Sequence, residues 1–147
     1  GLVSEQSHYN LLTRQVELEV LPACEHYGLG VIPWSPLAGG LLAGVMSKQE
    51  GTRRQDDRNK PRIEQNAEKL EAFENLASDL EQSPANVALA WLLHQKAVVA
   101  PIIGPRSMEQ LETAIPALEL NLNQDTLTLL DEIFPGPGGP APEAYAW

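Results

Sequence analysis

The sequence is poor in cysteine and in basic residues. Its 147 residues include a single cysteine, Cys24, which excludes an internal disulfide and a zinc site built from cysteines. Lys and Arg number 10 against 20 Asp and Glu, so the formal net charge is −10. Because nucleic-acid-binding surfaces carry a basic patch, we expect no nucleic-acid partner.

Long apolar runs and several common motifs are also missing. No run approaches the roughly 20 apolar residues of a membrane helix, and the N-terminus lacks the charged region and apolar core of a signal peptide. These absences predict a cytoplasmic protein without membrane contact. The sequence has no G-x-G-x-x-G, H-E-x-x-H or G-x-S-x-G, which excludes the usual signatures of dinucleotide binding, zinc proteases and serine hydrolases. The histidines, His8, His26 and His94, are scattered, so no metal site is predicted.

What is present is an alternation of short apolar strands and helices. Apolar runs predict strands over 2–6, 29–34 and 98–103. Periodic segments predict helices over 16–27, with a kink or a start near Glu19 because of Pro22, and over 62–81, 84–93, 107–114 and 123–134. The order indicates an α/β fold with parallel strands. We assign 1–134 to one domain and 135–147 to a Pro/Gly-rich tail.

Three parallel strands are too few for a closed structure. They leave two open edges, whereas parallel strands are normally covered on both faces. The first strand also begins abruptly at "GLVSEQSHYN". This pattern predicts part of a (β/α)₈ barrel; a short first strand that simply opens the chain is the alternative. An open edge also favours self-association.

The segment "VVAPIIGPRSMEQLE", residues 98–112, runs from the third strand into a helix. Free N–H groups at a helix start favour anions. Gly104 permits close backbone approach, Arg106 can fork onto a phosphate and Ser107 can donate to it. The alternative is that Ser107 only caps the helix and Arg106 is a solvated charge.

Two further segments follow the other strands. In "PWSPLAGG", residues 33–40, Ser35 and the glycine backbone can line an oxyanion, while Trp34 can stack on a flat ring or pack in the core. In "SEQSHYN", residues 4–10, Gln6 can pair with a carboxamide or be a surface turn residue. The polar segment 47–61 is predicted to be a loop.

Together, "SEQSHYNLLTR", "GVIPWSPLAGGLLAG" and "PIIGPRSMEQLE" resemble the aldo-keto reductases, and most closely the bacterial reductases related to potassium-channel β-subunits. The resemblance covers nearly the whole chain in the family's order. It implies a (β/α)₈ barrel that binds NADP(H) at the carboxyl ends of its strands and reduces aldehydes and ketones. This chain would be strands six to eight.

The resemblance also implies roles for particular residues. Gln6 would contact the nicotinamide end, and Trp34 would stack on the nicotinamide ring. The pyrophosphate would lie against Ser35, Leu37 and Gly39. The 2′-phosphate and its surroundings would be held by Gly104, Arg106, Ser107 and Gln110. In the family the segment after strand seven can fold over the cofactor, so Arg53, Arg54 or Arg58 would touch a phosphate; the alternative is a solvated loop.

Two departures from the family pattern limit what the chain can do. The family often has Glu-Asn where Thr113 and Ala114 stand here, at the adenine contact. The family's catalytic Asp, Tyr, Lys and His lie on earlier strands, and Tyr9 and His8 do not replace them. Since carbonyl reduction needs a proton donor, the isolated chain is predicted to lack this activity and at most to bind the dinucleotide. The alternative is a half-barrel that binds NADP(H) or associates with a second copy.

Overall fold

The computed structural model describes residues 1–47 and 59–139. A parallel pair of short strands lies at its centre, β1 (Ser4–Glu5) and β2 (Gly30–Val31). Ser4 pairs with Gly30 and Glu5 with Val31. The pairing continues beyond the strands, because the Trp34 N–H donates to the Ser7 carbonyl at 2.9 Å. The first two predicted strands are therefore present, although they are shorter than predicted.

The third predicted strand, over 98–103, is not a strand among the described residues. The segment makes two isolated parallel bridges instead, Val31 to Val98 and Trp34 to Ile102. The Val99 N–H donates to the Val31 carbonyl at 3.0 Å, and the Ile102 N–H donates to the Pro33 carbonyl at 2.7 Å. Between these bonds the ladder needs N–H groups at positions 33 and 101, and both are proline. The prolines interrupt a strand that the apolar pattern predicted.

The helix after β1 begins close enough to Pro22 for this proline to lie in its first turn. A 3₁₀ turn (Gln15–Glu17) precedes α1 (Val20–Tyr27), so Pro22 falls in the first turn, where its missing N–H costs no hydrogen bond. Gly28 ends α1 in the left-handed conformation, with φ of 68°, as is common at helix ends. The start predicted near Glu19 is confirmed.

The helix predicted over 62–81 is two helices, α2 (Lys60–Gln65) and α3 (Ala67–Asp79). Asn66 separates them with non-helical angles. Its Nδ2 donates to the Arg62 carbonyl at 2.8 Å, and this carbonyl would accept from the Asn66 N–H in an unbroken α-helix. The side chain therefore competes with the backbone. The Arg53, Arg54 and Arg58 predictions lie outside the described residues.

Each of the remaining helices begins after a residue that caps it. Ser83 precedes α4 (Pro84–Leu93), Ser107 precedes α5 (Met108–Ala114), and Asn123 precedes α6 (Gln124–Ile133); each cap side chain accepts a backbone N–H of its helix. A 3₁₀ turn (Ile115–Leu118) continues α5. The apolar faces of α3, α4 and α6 meet in one core whose largest enclosed side chains include Trp91, Tyr9, Phe73 and Phe134.

No helix within the described residues combines the length and apolar character needed to span a membrane.

Candidate functional site

A groove of about 860 Å³ lies where two loops meet. One loop follows β2 and the other follows the bridged segment at Ile102, and the bridges from His8 to Trp34 and from Trp34 to Ile102 place these segment ends side by side. Carboxyl ends of parallel strands are the usual position of ligand sites in α/β folds. The volume falls within the range of small-molecule sites.

Seven of the nine predicted site residues line this groove, and two do not. The seven come from both loops, in the first Ser35, Leu37 and Gly39, and in the second Gly104, Arg106, Ser107 and Gln110. Gln6 and Trp34 lie outside the lining. The topology thus brings together the two motifs that the sequence analysis treated separately.

The first loop turns tightly through left-handed backbone. Gly39 and Gly40 have φ of 73° and 101°, within a 3₁₀ segment (Ala38–Ala43) that they kink. Ser35 and Ala38 also have positive φ, 56° and 51°. For residues with a Cβ such backbone is strained, and the Ala38 N–H, which donates to the Ser35 carbonyl at 2.9 Å, helps to hold the turn.

Asn10 supports this strained turn from beneath. It is fully buried. Its Nδ2 donates to the Ser35 carbonyl at 3.0 Å, and its Oδ1 accepts the Leu12 N–H at 3.0 Å. Sequence reasoning missed Asn10, because its partner lies 25 residues away along the chain; its place two residues after His8 in "SEQSHYN" is the only local signal.

The second loop is ordered by its own side chains. Ser107 Oγ accepts the Gln110 N–H at 3.2 Å, and Gln110 Oε1 accepts the Arg106 N–H at 2.8 Å. This reciprocal arrangement is close to a capping box, so Ser107 does cap α5. Because the cap uses the Ser107 oxygen as an acceptor, the hydroxyl hydrogen stays available to a ligand.

Arg106 is the only basic residue among the described residues that line the groove. It is exposed, and it forms no ion pair with any residue of the described ranges. The described lining therefore carries one basic residue, Arg106, and one acidic residue, Glu109, both near the start of α5.

Trp34 lies beside the groove with 43% of its surface exposed. Its ring stacks on His8 with centroids 4.1 Å apart and planes inclined by 13°. Burial, and then the positive charge of Arg62, lower the pKa of His8. Because so much of the Trp34 side chain is exposed, the alternative prediction that it packs in the core is wrong. Gln6 is also exposed, next to the end of β1.

The described lining contains no tyrosine, lysine or histidine. Tyr9 is fully buried, and its hydroxyl donates to Glu17 Oε1 at 2.7 Å. Burial and this hydrogen bond raise the pKa of Tyr9 far above its usual range, so it is a poor proton donor for a groove ligand. Across 1–47 and 59–139 no three His, Cys, Asp or Glu side chains are grouped to hold a metal ion.

Asn86 is a second groove residue that sequence reasoning missed. It lies in the first turn of α4, it is 7% exposed, and it lines the groove. Its Oδ1 is enclosed and accepts no hydrogen bond from any described residue. The available signal was an amide in a segment, 85–93, that is otherwise apolar.

The model of the aldo/keto reductase family matches residues 1–134. The chain belongs to this family. Among its relatives, the uncharacterized oxidoreductase YrpG of Bacillus subtilis is 51% identical over 148 residues, which cover 100% of this chain and 45% of the relative. The aldo-keto reductase NECHADRAFT_45914 of Fusarium vanettenii is 38% identical over 137 residues, 90% of this chain and 36% of the relative.

A third relative matches this chain over the same shares of the two sequences. The aldo-keto reductase dtxS3 of Metarhizium robertsii is 35% identical over 143 residues, which cover 90% of this chain and 36% of the relative. The chain thus spans less than half the length of these curated relatives. Family membership is shown by the match, whereas the activity of the full-length relatives is a separate question for this chain.

Proposed function

We propose that this chain is the cofactor-binding, C-terminal part of the barrel of an NADPH-dependent carbonyl reductase, with its parallel segments in the places of strands six to eight. Family membership supports the reaction class. The position of the groove, at the carboxyl ends of adjacent parallel segments, supports the assignment of the cofactor site. The motifs also support kinship with the reductases related to potassium-channel β-subunits.

The observation that carries the proposal is Arg106, the one basic residue in the described lining of the groove. A guanidinium can form two parallel hydrogen bonds to a phosphate, and Ser107 can donate a third. Gly104 leaves space beside them, because a Cβ there would meet no described atom within 4 Å. The residues present therefore fit the 2′-phosphate that distinguishes NADP(H) from NAD(H).

The other loop fits the rest of the same cofactor. Ser35, Leu37 and Gly39 line the groove and would lie along the pyrophosphate. Trp34 presents an exposed ring that would stack on the nicotinamide, with Gln6 near its carboxamide. Bound NADPH would supply the hydride for an aldehyde or ketone.

The described lining of the groove supplies no proton donor of the usual kind for that reaction. Reduction of a carbonyl needs an acid beside the developing alkoxide, and the lining within 1–47 and 59–139 has no Tyr, Lys or His. Tyr9 keeps its proton, which it donates in a hydrogen bond to Glu17. We therefore propose that the 147-residue chain binds NADPH in the cytoplasm without reducing aldehydes unless the remaining part of the barrel is supplied.

Calorimetric titration of the chain with NADPH and with NADH tests the proposal. Arg106→Ala is expected to weaken NADPH binding by about 10- to 100-fold, the value of one charge-assisted contact of about 1.5–3 kcal/mol. The affinity for NADH, which lacks the 2′-phosphate, is expected to change little.

Lys96→Ala is the matched control, because it removes the same charge from an exposed residue that pairs with Glu25 instead of lining the groove. It should leave both affinities unchanged. No saturable heat with NADPH at millimolar concentration would contradict the proposal, as would an equal loss for NADPH and NADH in Arg106→Ala. Aldehyde reduction by the unmodified chain would contradict the absence of turnover.

A second candidate is a half-barrel module that associates with another copy. Exposed apolar side chains on the sheet segments favour it: Leu2 and Val3 before β1 are 85% and 80% exposed, and Val99 on the bridged segment is 61% exposed. Open sheet edges of this kind promote pairing. Sedimentation at increasing concentration measures the mass; a dimer that Val3→Lys dissociates supports the module, and a monomer at every concentration contradicts it.

A further inference from the structure

Asn86 has an incomplete hydrogen-bonding arrangement at the wall of the groove. It is 7% exposed, and its enclosed Oδ1 has no partner within the described residues. Buried amide oxygens in proteins are nearly always hydrogen-bonded, and leaving one unpaired costs stability. An enclosed amide oxygen that no described residue uses is therefore a candidate contact for a ligand in the groove.

The neighbouring wall of the groove is formed by α5, which also contributes Glu109 and Gln110 to the lining. Helix α5 packs against α4, and its Thr113 and Ala114 line the same groove. The Thr113 hydroxyl donates to the Glu109 carbonyl at 2.8 Å, within its own helix, and Ala114 has no polar side chain. On the α4 wall the described lining residues are Ala85, Asn86 and Leu89, so Asn86 is the residue of that wall that offers a ligand a side-chain donor and acceptor.

We infer that Asn86 recognises the adenine base of the cofactor. An asparagine amide carries a donor and an acceptor side by side, and the edge of adenine carries the complementary pair, the N6 amino group beside a ring nitrogen. Turning Oδ1 into the groove breaks no hydrogen bond of the described protein. The inference rests on the proposed function, since Arg106 and Ser107 hold the 2′-phosphate of the same adenosine.

Adenosine 2′,5′-bisphosphate, which has the base and the 2′-phosphate without the nicotinamide, is the probe. Asn86→Leu replaces the amide with an apolar group of similar volume. Calorimetry should show about tenfold weaker binding, equivalent to about 1.4 kcal/mol. The melting temperature should be unchanged or higher, because the substitution removes an unpaired buried oxygen.

Two further variants separate recognition from structure. Asn66→Leu makes the same substitution at an amide that lies in an exposed setting and does not line the groove, so it should bind the probe as the unmodified chain does. Asn86→Gln keeps an amide and should retain binding to within about threefold. If the Leu variant does not fold, the Gln variant decides, since loss of binding by a folded Gln variant overturns the inference.

The outcomes distinguish this inference from the proposed function. Unchanged affinity of Asn86→Leu, with weak binding by Arg106→Ala, overturns the role of Asn86 and leaves the cofactor site standing. A large fall in melting temperature in Asn86→Leu assigns the amide a structural role and also overturns it. If the unmodified chain does not bind the probe, both the proposed function and the inference are wrong.

Discussion

Two regions of this chain treat their polar groups in opposite ways. In the first, which we call the Arg14 cluster, Arg14 joins Tyr9, Glu17 and Asp131. Arg14 Nε and Nη2 donate to the two Glu17 oxygens at 2.6 and 3.0 Å, and Nη1 donates to Asp131 Oδ1 at 2.6 Å. Nη1 also donates to the Phe134 carbonyl at 2.7 Å. The charged groups of this cluster are thus paired with one another within the protein.

In the second region, the groove, some polar groups have no partner among the described residues, and part of the backbone is strained. Arg106 has no ion-pair partner among the described residues, Asn86 Oδ1 accepts no hydrogen bond there, and Ser35 is held with φ of 56°. Unpaired charge, an unpartnered buried amide and strained backbone each cost stability. Their concentration in one place is typical of a binding site, whereas the Arg14 cluster has the features of a structural support.

The Arg14 cluster should therefore show the largest loss of stability on mutation. Arg14→Met keeps an unbranched side chain near Trp91, whose ring centroid lies 5.1 Å from the Arg14 guanidinium carbon. It leaves Glu17 half-buried without its cation. Because breaking a buried ion pair is strongly destabilising, we expect the free energy of unfolding to fall by about 3 kcal/mol, measured by urea denaturation.

A second ion pair on the surface provides the comparison. Lys96 Nζ lies 2.8 Å from Glu25 Oε2, and the Lys96 side chain is 80% exposed. Lys96→Met makes the same change of charge and should leave the urea midpoint unchanged, because exposed pairs are screened by water. Equal effects of the two substitutions would remove the distinction between a structural cluster and ordinary surface charge.

Asn10 connects the core to the groove, and its loss should affect both stability and binding. Asn10→Ala leaves the Leu12 N–H and the Ser35 carbonyl without their buried partner. We expect a loss of about 2 kcal/mol in unfolding free energy and weaker NADPH binding by the folded variant, because the strained turn at Ser35 loses its support. Urea denaturation and calorimetry measure the two effects.

Asn66→Ala is the control for this substitution. Asn66 donates one hydrogen bond, to the Arg62 carbonyl, in an exposed setting. Its loss should change stability little, because water can replace the donor, and should leave NADPH affinity intact. If Asn10→Ala bound NADPH as tightly as the unmodified chain, the shape of the first loop would not depend on Asn10.

Local signals predicted much of the fold. The caps Ser83, Ser107 and Asn123 were identifiable because a cap bonds to its own helix three residues on. The break at Asn66 was missed because an asparagine side chain competes with the helix only in some settings. The prediction of a third strand was wrong because Pro33 and Pro101 interrupt the same ladder. Their common effect can be recognised only once the register between these distant segments is known.

The same distinction applies to the site. Arg106 and Ser107 were found because an apolar run followed by glycine and a helix start is a local pattern. Asn10 and Asn86 were missed because their importance depends on residues far away in sequence, the Ser35 carbonyl in one case and the α5 wall of the groove in the other. Sequence reasoning thus singled out residues that begin the two loops of the groove and missed Asn10 and Asn86, which lie outside those loops.

His8 gives the smallest effect and extends the comparison to pH. Burial and then Arg62 lower the pKa of His8 below its ordinary 6.5. Below pH 6.5 and down to the folded-state pKa, the unfolded chain binds more protons at this residue, so folding stability falls as the pH falls through that window. His8→Phe keeps a ring against Trp34, and its urea midpoint should decline less between about pH 7 and about pH 5 than that of the unmodified chain. His26→Phe is the control, because His26 is exposed and its ring lies 4.8 Å from that of Tyr27. It measures how the histidine-to-phenylalanine substitution itself changes the urea midpoint. Parallel midpoint curves for His8→Phe and the unmodified chain would mean that proton binding at His8 is not linked to folding.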